Sequence, residues 1–199
     1  MEKPLIISGA PATGKTEVAK VLVKMIPHLV KLAALTTRNP RIGEIGGDDY
    51  NFVSKEALQE QFQNGELIEE TLWECEFNNQ LYGSPKSWIN ELQHTAMQLS
   101  QQKAPDKNIL ILSPSVAVAN RIKDKLNSDV AWMHLYAHED DKQVRLAKRN
   151  QITDYEINLR LNRGDGHNLI HNADINLNTT NLSLKQTISV ALSLIYSPD

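Results

Sequence analysis

The chain of 199 residues has one cysteine, Cys75, so an intramolecular disulfide is excluded. It has no run approaching the roughly 18 apolar residues that a membrane span requires. Residues 1–8 lack the basic start and long apolar centre of a secretory signal, so a cytoplasmic protein with no membrane partner is expected. Charge of one sign is lacking too: 21 Lys and Arg against 24 Asp and Glu leave a formal net charge of -3, and no basic field to hold a nucleic-acid backbone. Any anionic ligand must therefore be met by local groups. There are no internal repeats and no low-complexity tail. What is present, 41% hydrophobic and 23% charged residues, is ordinary for a globular chain, and the length suits one α/β domain with an insertion.

Hydrophobic patterning gives the order of elements. Residues 3–8 (KPLIIS) read as a short apolar strand, followed by a glycine loop and a helix over 17–26 with apolar residues at helical spacing. A second strand is predicted over 29–35. The polar stretch 36–84 reads as an insertion, with strands near 50–53 and 67–73 and a helix over 55–63. Helices are then predicted over 86–102, from Pro114 to 126, over 140–149, and from a cap at Asp154 through 170, with a last one over 184–195. Strands are expected at 109–112, 130–136 and 173–177. Apolar strands alternating with helices imply a parallel sheet covered on both faces.

Residues 9–16 read GAPATGKT, which fits G-x-x-x-x-G-K-[ST] in the strand-to-helix setting that this motif needs. Gly9 and Gly14 let the backbone turn so that the N–H groups of loop residues such as Ala10, Ala12 and Thr13 surround phosphate oxygens, with Pro11 shaping the turn but lacking an N–H, and the helix adds its positive end. Lys15 reaches the β and γ phosphates, and the Thr16 hydroxyl is a ligand for Mg²⁺. The motif predicts a bound nucleoside triphosphate without saying what is done with it.

Arg38 and Arg41 lie in TTRNPRIGE, ahead of GGDDYNF. Two guanidinium groups three residues apart around a proline can converge on one anion with bidentate geometry, and Tyr50 and Tyr82 each offer a phenolic donor. Taken alone, the cluster reads equally as a solvated loop carrying ordinary surface arginines. From residue 3 to about 161, however, the chain resembles guanylate kinase, a P-loop nucleoside monophosphate kinase family. The phosphate loop, TTRxPRxGExxGxDYxFV over 36–53, GELIE over 65–69 and YGS over 82–84 stand in the family's order.

The resemblance implies a three-layer P-loop fold. Its core would be residues 1–35 and 85–199, with a helical lid at about 140–165, and 36–84 would form a small α+β lobe binding the acceptor. Carried over position by position, it implies GMP-phosphate ligands at Arg38, Arg41, Tyr50 and Tyr82, and guanine contacts at Glu69 and Ser84. Glu70 is the alternative to Glu69. Arg149 and Arg160 are eleven positions apart, as the family's two late arginines are. With Lys15 and Arg41 they would carry catalysis by neutralising the migrating phosphoryl group; Arg145 is a lesser third participant. The implied reaction takes ATP and GMP or dGMP to ADP and GDP or dGDP with Mg²⁺ and no protein nucleophile.

The chain departs from the family at named places. Ala34 stands where a guanine-contacting serine is usual, and Ala12 replaces a loop glycine. Ile111 and Ser113 occupy two positions that are aspartates in the family, so base recognition on that strand falls to Ser113 alone. A kinase of another phosphorylated small molecule, resembling the ribose bisphosphate phosphokinases, is the first alternative, since those also lack the aspartate pair. The second is a non-catalytic guanylate-kinase-like module, although such modules have usually lost the phosphate loop kept here. The other constellations point to no metal site, and the tryptophans point to packing. His167 and His171 lack the glutamate of a zinc motif, His134 and His138 straddle a strand end, and Trp73, Trp88 and Trp132 are scattered.

Overall fold

The computed structural model describes residues 2–40, 43–48, 50–68, 73–75, 80–101, 107–113, 115–148, 153–161 and 169–196, and of residues 73–75, 159 and 160 the backbone alone. In chain order the elements are β1 (Leu5–Gly9), α1 (Lys15–Met25), β2 (Leu29–Leu32), β3 (Ala34–Thr36), β4 (Tyr50–Phe52), α2 (Lys55–Gln63), β5 (Trp73–Cys75) and β6 (Gln80–Gly83). There follow α3 (Ser87–Ser100), β7 (Asn108–Ser113), α4 (Val116–Leu126), β8 (Ala131–Tyr136), α5 (Glu139–Ala147), α6 (Asp154–Leu161), β9 (Ile175–Asn178) and α7 (Leu184–Ile195).

Two sheets form. The larger runs β2-β7-β1-β8-β9, all parallel, with β1 at its centre. Alternation along β1 feeds both faces. Leu5 and Ile7 join α1 and α7 residues such as Leu22 and Ala191 in one core, and Ile6 joins Leu92 of α3 and Ile122 of α4 in the other. The smaller sheet, β4-β3-β6-β5, is mixed and covers its own core of Leu35, Leu58, Leu67 and Leu81. This is the three-layer α/β architecture with a second, smaller α+β lobe. Among the described residues no helix is long and apolar enough to cross a membrane.

The single strand expected over 29–35 is two strands in two sheets. β2 pairs with β7 in the larger sheet, and β3 pairs with β4 and β6 in the smaller. Ala33 and Ala34 carry the apolar residues of β2 on into β3 with no turn residue between, and the Ala33 carbonyl at the break accepts from Asn51 Nδ2 at 3.1 Å. Of the strand expected over 67–73, residues 69–72 lie outside the described residues. Leu67 makes an isolated bridge to Pro85, Ile68 N–H donates to the Ser84 carbonyl at 2.9 Å, and Trp73 opens β5 opposite Tyr82.

Two helix boundaries also differ. Pro114 lies outside the described residues, and α4 begins at Val116 after Ser115, whose extended backbone makes it the residue flanking the helix. Asp154 is the first helical residue of α6 rather than its cap. Thr153 is the cap, its Oγ1 accepting from Glu156 N at 3.2 Å while Glu156 Oε2 accepts from Thr153 N at 3.0 Å. Nor does this helix reach Ile170, whose N–H and carbonyl are taken by the Asn176 side chain at 2.8 and 3.0 Å.

Candidate active site

The glycine loop expected to hold phosphate leaves the carboxyl end of β1, the central strand of the larger sheet, where ligands of open parallel sheets commonly gather. Gly9 closes β1 at φ 141°, and a Cβ there would lie 2.1 Å from the Leu135 carbonyl oxygen of β8. Gly14 holds φ 96° as the residue capping α1. Between them the loop's carbonyls are engaged: Thr13 Oγ1 and Lys15 Nζ donate to Ala10 O at 2.9 and 2.8 Å, and Lys15 Nζ also donates to Gly9 O. The Thr179 hydroxyl, just past β9, donates to Thr13 O at 3.1 Å, and Arg145 of α5 reaches Ala12 O at 3.3 Å. Covering acceptors in this way removes the groups that would repel an anion. It leaves the loop's amides and the positive end of α1 to attract one. Pro11 is half-buried, Thr13 buried, and Thr16 exposed in the first turn of α1.

Arg145 is itself held by Thr179 O at 2.7 Å, Thr179 Oγ1 at 3.2 Å and Asp141 at 2.9 Å. Through it α5 and the segment after β9 are tied to the loop backbone. Ala12 adds an apolar tie. It sits at φ 64°, in the left-handed region, and its methyl packs against Leu146 of α5 and Ile157 and Leu161 of α6. The family's glycine at this position suits the backbone better, and the alanine gains a contact with the two helices that follow β8.

The two effects nearly cancel: left-handed alanine costs about 1 kcal/mol, and burying one methyl contributes about 0.8 kcal/mol. Ala12→Gly is therefore expected to leave the unfolding free energy within about 0.5 kcal/mol of the parent, while amide exchange in α5 and α6 quickens about threefold. Equal exchange rates in the two proteins would show that the methyl does not couple the loop to these helices.

Behind the loop lies a buried polar row that sequence reading passed over. Ser8 Oγ accepts from Trp132 Nε1 at 2.7 Å and meets His134 Nδ1 at 2.8 Å, all three side chains being shielded from solvent. An indole can only donate, so the serine hydrogen is available to the imidazole. The register explains the meeting: Ser8 lies opposite His134 on one side and Ser113 on the other. Trp132, assigned to packing from sequence, and His134, discounted there as a zinc ligand, alternate on β8 and so share the face toward Ser8.

The second cluster is on the smaller sheet. Arg38 follows β3, Tyr50 opens β4 and Tyr82 lies in β6, with Thr36 opposite Tyr82 and Ala34 opposite Tyr50. Arg38 is only 7% exposed, and its guanidinium carbon lies 5.2 Å from the Tyr50 ring centre and 5.6 Å from that of Phe52. The Tyr50 and Tyr82 rings meet edge-on at 5.9 Å. Arg38 Nη1 donates to Glu44 Oε2 at 2.7 Å and to Asn39 O at 2.8 Å, and Nη2 donates to Glu44 Oε1 at 3.0 Å. Burial pulls its pKa down, but the hydrogen bonds and charge of Glu44, with Tyr82 and Tyr50 behind, more than offset this and hold it above the ordinary arginine value. Glu44 and Phe52 were not selected from sequence, although both lie in the segment that carries the resemblance.

Ser84, just past β6, is buried near Ile68, and Ser113 is fully buried with its hydroxyl donated to Ser115 O at 2.6 Å. Arg41, Glu69, Glu70, Arg149 and His167 lie outside the described residues, and Arg160 is described only as part of the α6 backbone. Among the described residues no three His, Cys, Asp or Glu side chains gather as a metal site.

A parallel sheet with a glycine loop closing onto a helix, beside a lobe that presents a buried arginine and two tyrosines, defines a nucleotide-binding P-loop protein of the small-kinase class. The guanylate kinase family model matches residues 1–100. The guanylate kinase of Mesomycoplasma hyopneumoniae strain J is 32% identical over 174 residues, covering 86% of this chain and 83% of that protein. That of Prochlorococcus marinus subsp. pastoris is 26% identical over 197 residues, covering 99% and 98%. In fold, the chain is similar to the crystal structure of guanylate kinase from Anaplasma phagocytophilum, with a TM-score of 0.61 at 18% identity over 98% of this chain and 84% of that one. The chain belongs to the guanylate kinase family. These relatives favour neither the ribose bisphosphate phosphokinase alternative nor the non-catalytic module.

Proposed function

We propose that the protein transfers the γ-phosphoryl group of ATP to GMP or dGMP, releasing ADP and the corresponding diphosphate. The observation that carries this reading is the buried Arg38, ringed by Tyr50, Phe52 and Tyr82, on a lobe separate from the glycine loop. A kinase for a phosphorylated acceptor needs two anion sites, and family membership supports GMP as the acceptor the second would hold. In this reading 36–84 is the acceptor lobe, the remainder is the donor core, and 140–165, which includes most of α5 and all of α6, is the lid.

Residues 9–16 hold the triphosphate, with Lys15 on its outer phosphates. Arg38, Arg41, Tyr50 and Tyr82 orient the acceptor phosphate. Glu69 and Ser84 read guanine, with Ser113 limited to accepting a hydrogen bond because its own hydrogen is taken by Ser115. Arg149 and Arg160 close over the transferring group. Catalysis is then positioning and charge neutralisation, with no covalent intermediate on the protein.

The residues present fit Mg²⁺ of one kind only. The exposed Thr16 hydroxyl is the oxygen donor this reading assigns from the described residues, and Ile111 leaves an apolar, fully buried side chain where the family has a carboxylate. That is a donor set for an ion brought in on the triphosphate and keeping most of its waters. Such an ion would neutralise charge on the phosphate oxygens. The same reading makes the protein a cytoplasmic enzyme acting on small nucleotides rather than on nucleic acid or membranes, supported by the net charge of -3.

The test is coupled ADP release with Mg-ATP against GMP, dGMP, AMP, CMP, UMP and ribose bisphosphate. Turnover confined to GMP and dGMP is expected. Turnover of ribose bisphosphate in preference to GMP would overturn the acceptor assignment.

A further inference from the structure

We propose that Glu44 is a positioning residue of the acceptor site, one that sets which edge of the Arg38 guanidinium faces the incoming phosphate. The inference rests on the acceptor reading above. Arg38 carries five N–H donors in a fixed plane. Glu44 takes the end-on pair, one hydrogen from each terminal nitrogen, at 2.7 and 3.0 Å, and the Asn39 carbonyl takes the other Nη1 hydrogen at 2.8 Å. What remains is the side-on pair, Nε–H and the second Nη2–H. These two point the same way along one edge, and a phosphate can meet them with two parallel hydrogen bonds.

The aromatic rings fix the plane of the group, since its carbon lies 5.2 and 5.6 Å from the Tyr50 and Phe52 ring centres. Glu44 fixes rotation within that plane. Further anchoring comes from Thr36, whose hydroxyl accepts from Arg38 N at 3.2 Å and donates to Leu81 O at 3.1 Å. Arg38 is therefore presented to its ligand with its geometry already set, and less ordering remains to oppose binding.

The expected effect of removing Glu44 has the opposite sign to that of simple electrostatics. Glu44 is an anion beside the site of a second anion, so removing its charge should by Coulomb's law alone tighten binding of GMP. If Glu44 orients Arg38, removal should weaken it. Glu44→Gln keeps the shape but offers Arg38 an NH₂ group where it needs an acceptor. Glu44→Asp keeps the charge but draws the carboxylate back by one methylene.

Equilibrium titrations of the full-length protein with GMP and with guanosine, together with steady-state kinetics, test the inference. Both variants are expected to lose about tenfold in GMP affinity, the effect of one charge-assisted hydrogen bond. Guanosine affinity and the KM for ATP should stay within twofold of the parent. GMP affinity unchanged or increased in Glu44→Gln would overturn the positioning role. Equal loss of GMP and guanosine binding would also overturn it, by showing that the lobe had lost its shape. Parent protein that binds no GMP would sink the acceptor reading and this inference together, whereas parent binding that both substitutions leave intact sinks the inference alone.

Discussion

Replacing Gly9 by alanine is expected to destabilise the protein by more than about 4 kcal/mol, one of the largest effects available to a single methyl group. The added Cβ would stand 2.1 Å from the Leu135 oxygen and 3.0 Å from its carbon, both backbone atoms. Neither can retreat cheaply, because Gly9 and Leu135 are partners in the β1–β8 ladder and the same strands carry the Leu5–Ala131 and Ile7–Met133 pairs in the middle of the core. The φ of 141° is itself closed to residues with a side chain. For a chain of this size the loss corresponds to a fall in Tm of about 8–16 °C, read by calorimetry or circular dichroism. Gly14→Ala serves as the contrast. It has φ 96° but nothing within 4 Å of the place a methyl would take, so strain alone acts and a loss of about 1–2 kcal/mol is expected. Similar Tm values for the two variants would show that the clash with Leu135 is relieved by movement of the loop.

The glycine loop was legible because its chemistry is local. Eight consecutive residues contain the turn, the cation and the hydroxyl, and the strand before and helix after are apolar at their own periods. Helices α2 and α7 were legible for the same reason, each opened by a serine whose side chain accepts from the backbone three residues on. The polar row of Ser8, Trp132 and His134 was not, because Ser8 stands more than 120 positions from its two partners and meets them only through strand register. The ties from Arg145 and Thr179 to the loop are hidden likewise, being made to backbone carbonyls that carry no residue identity. Glu44 was within reach. It lies six residues from Arg38 in a segment already singled out, but sequence shows it as one of several charges rather than as the partner of a buried arginine. The split at Ala33 was illegible because residues 29–35 contain no glycine, proline or polar turn residue to mark where one strand ends and the next begins.

Lys15→Met is expected to lower kcat by about a thousandfold or more, roughly 4 kcal/mol of transition-state stabilisation. The ammonium lies over the loop within reach of two of its carbonyls, Gly9 O and Ala10 O, and the flexible stem lets it move to an outer phosphate. There it would meet charge that grows on the leaving and transferring oxygens as the reaction proceeds, so its loss should appear chiefly in kcat rather than in the KM for GMP. Methionine keeps the length and apolar bulk of the stem, so the folded loop should survive. Its hydrogen bonds to the two carbonyls are replaced by water at little cost, because the side chain is only half-buried. Tm within a few degrees of the parent, unchanged GMP affinity and a collapsed kcat would together assign the lysine to the chemical step. A kcat within tenfold of the parent would mean that the amides of the loop and the end of α1 carry the phosphate charge without it, and the donor-site assignment would have to be redrawn around the backbone.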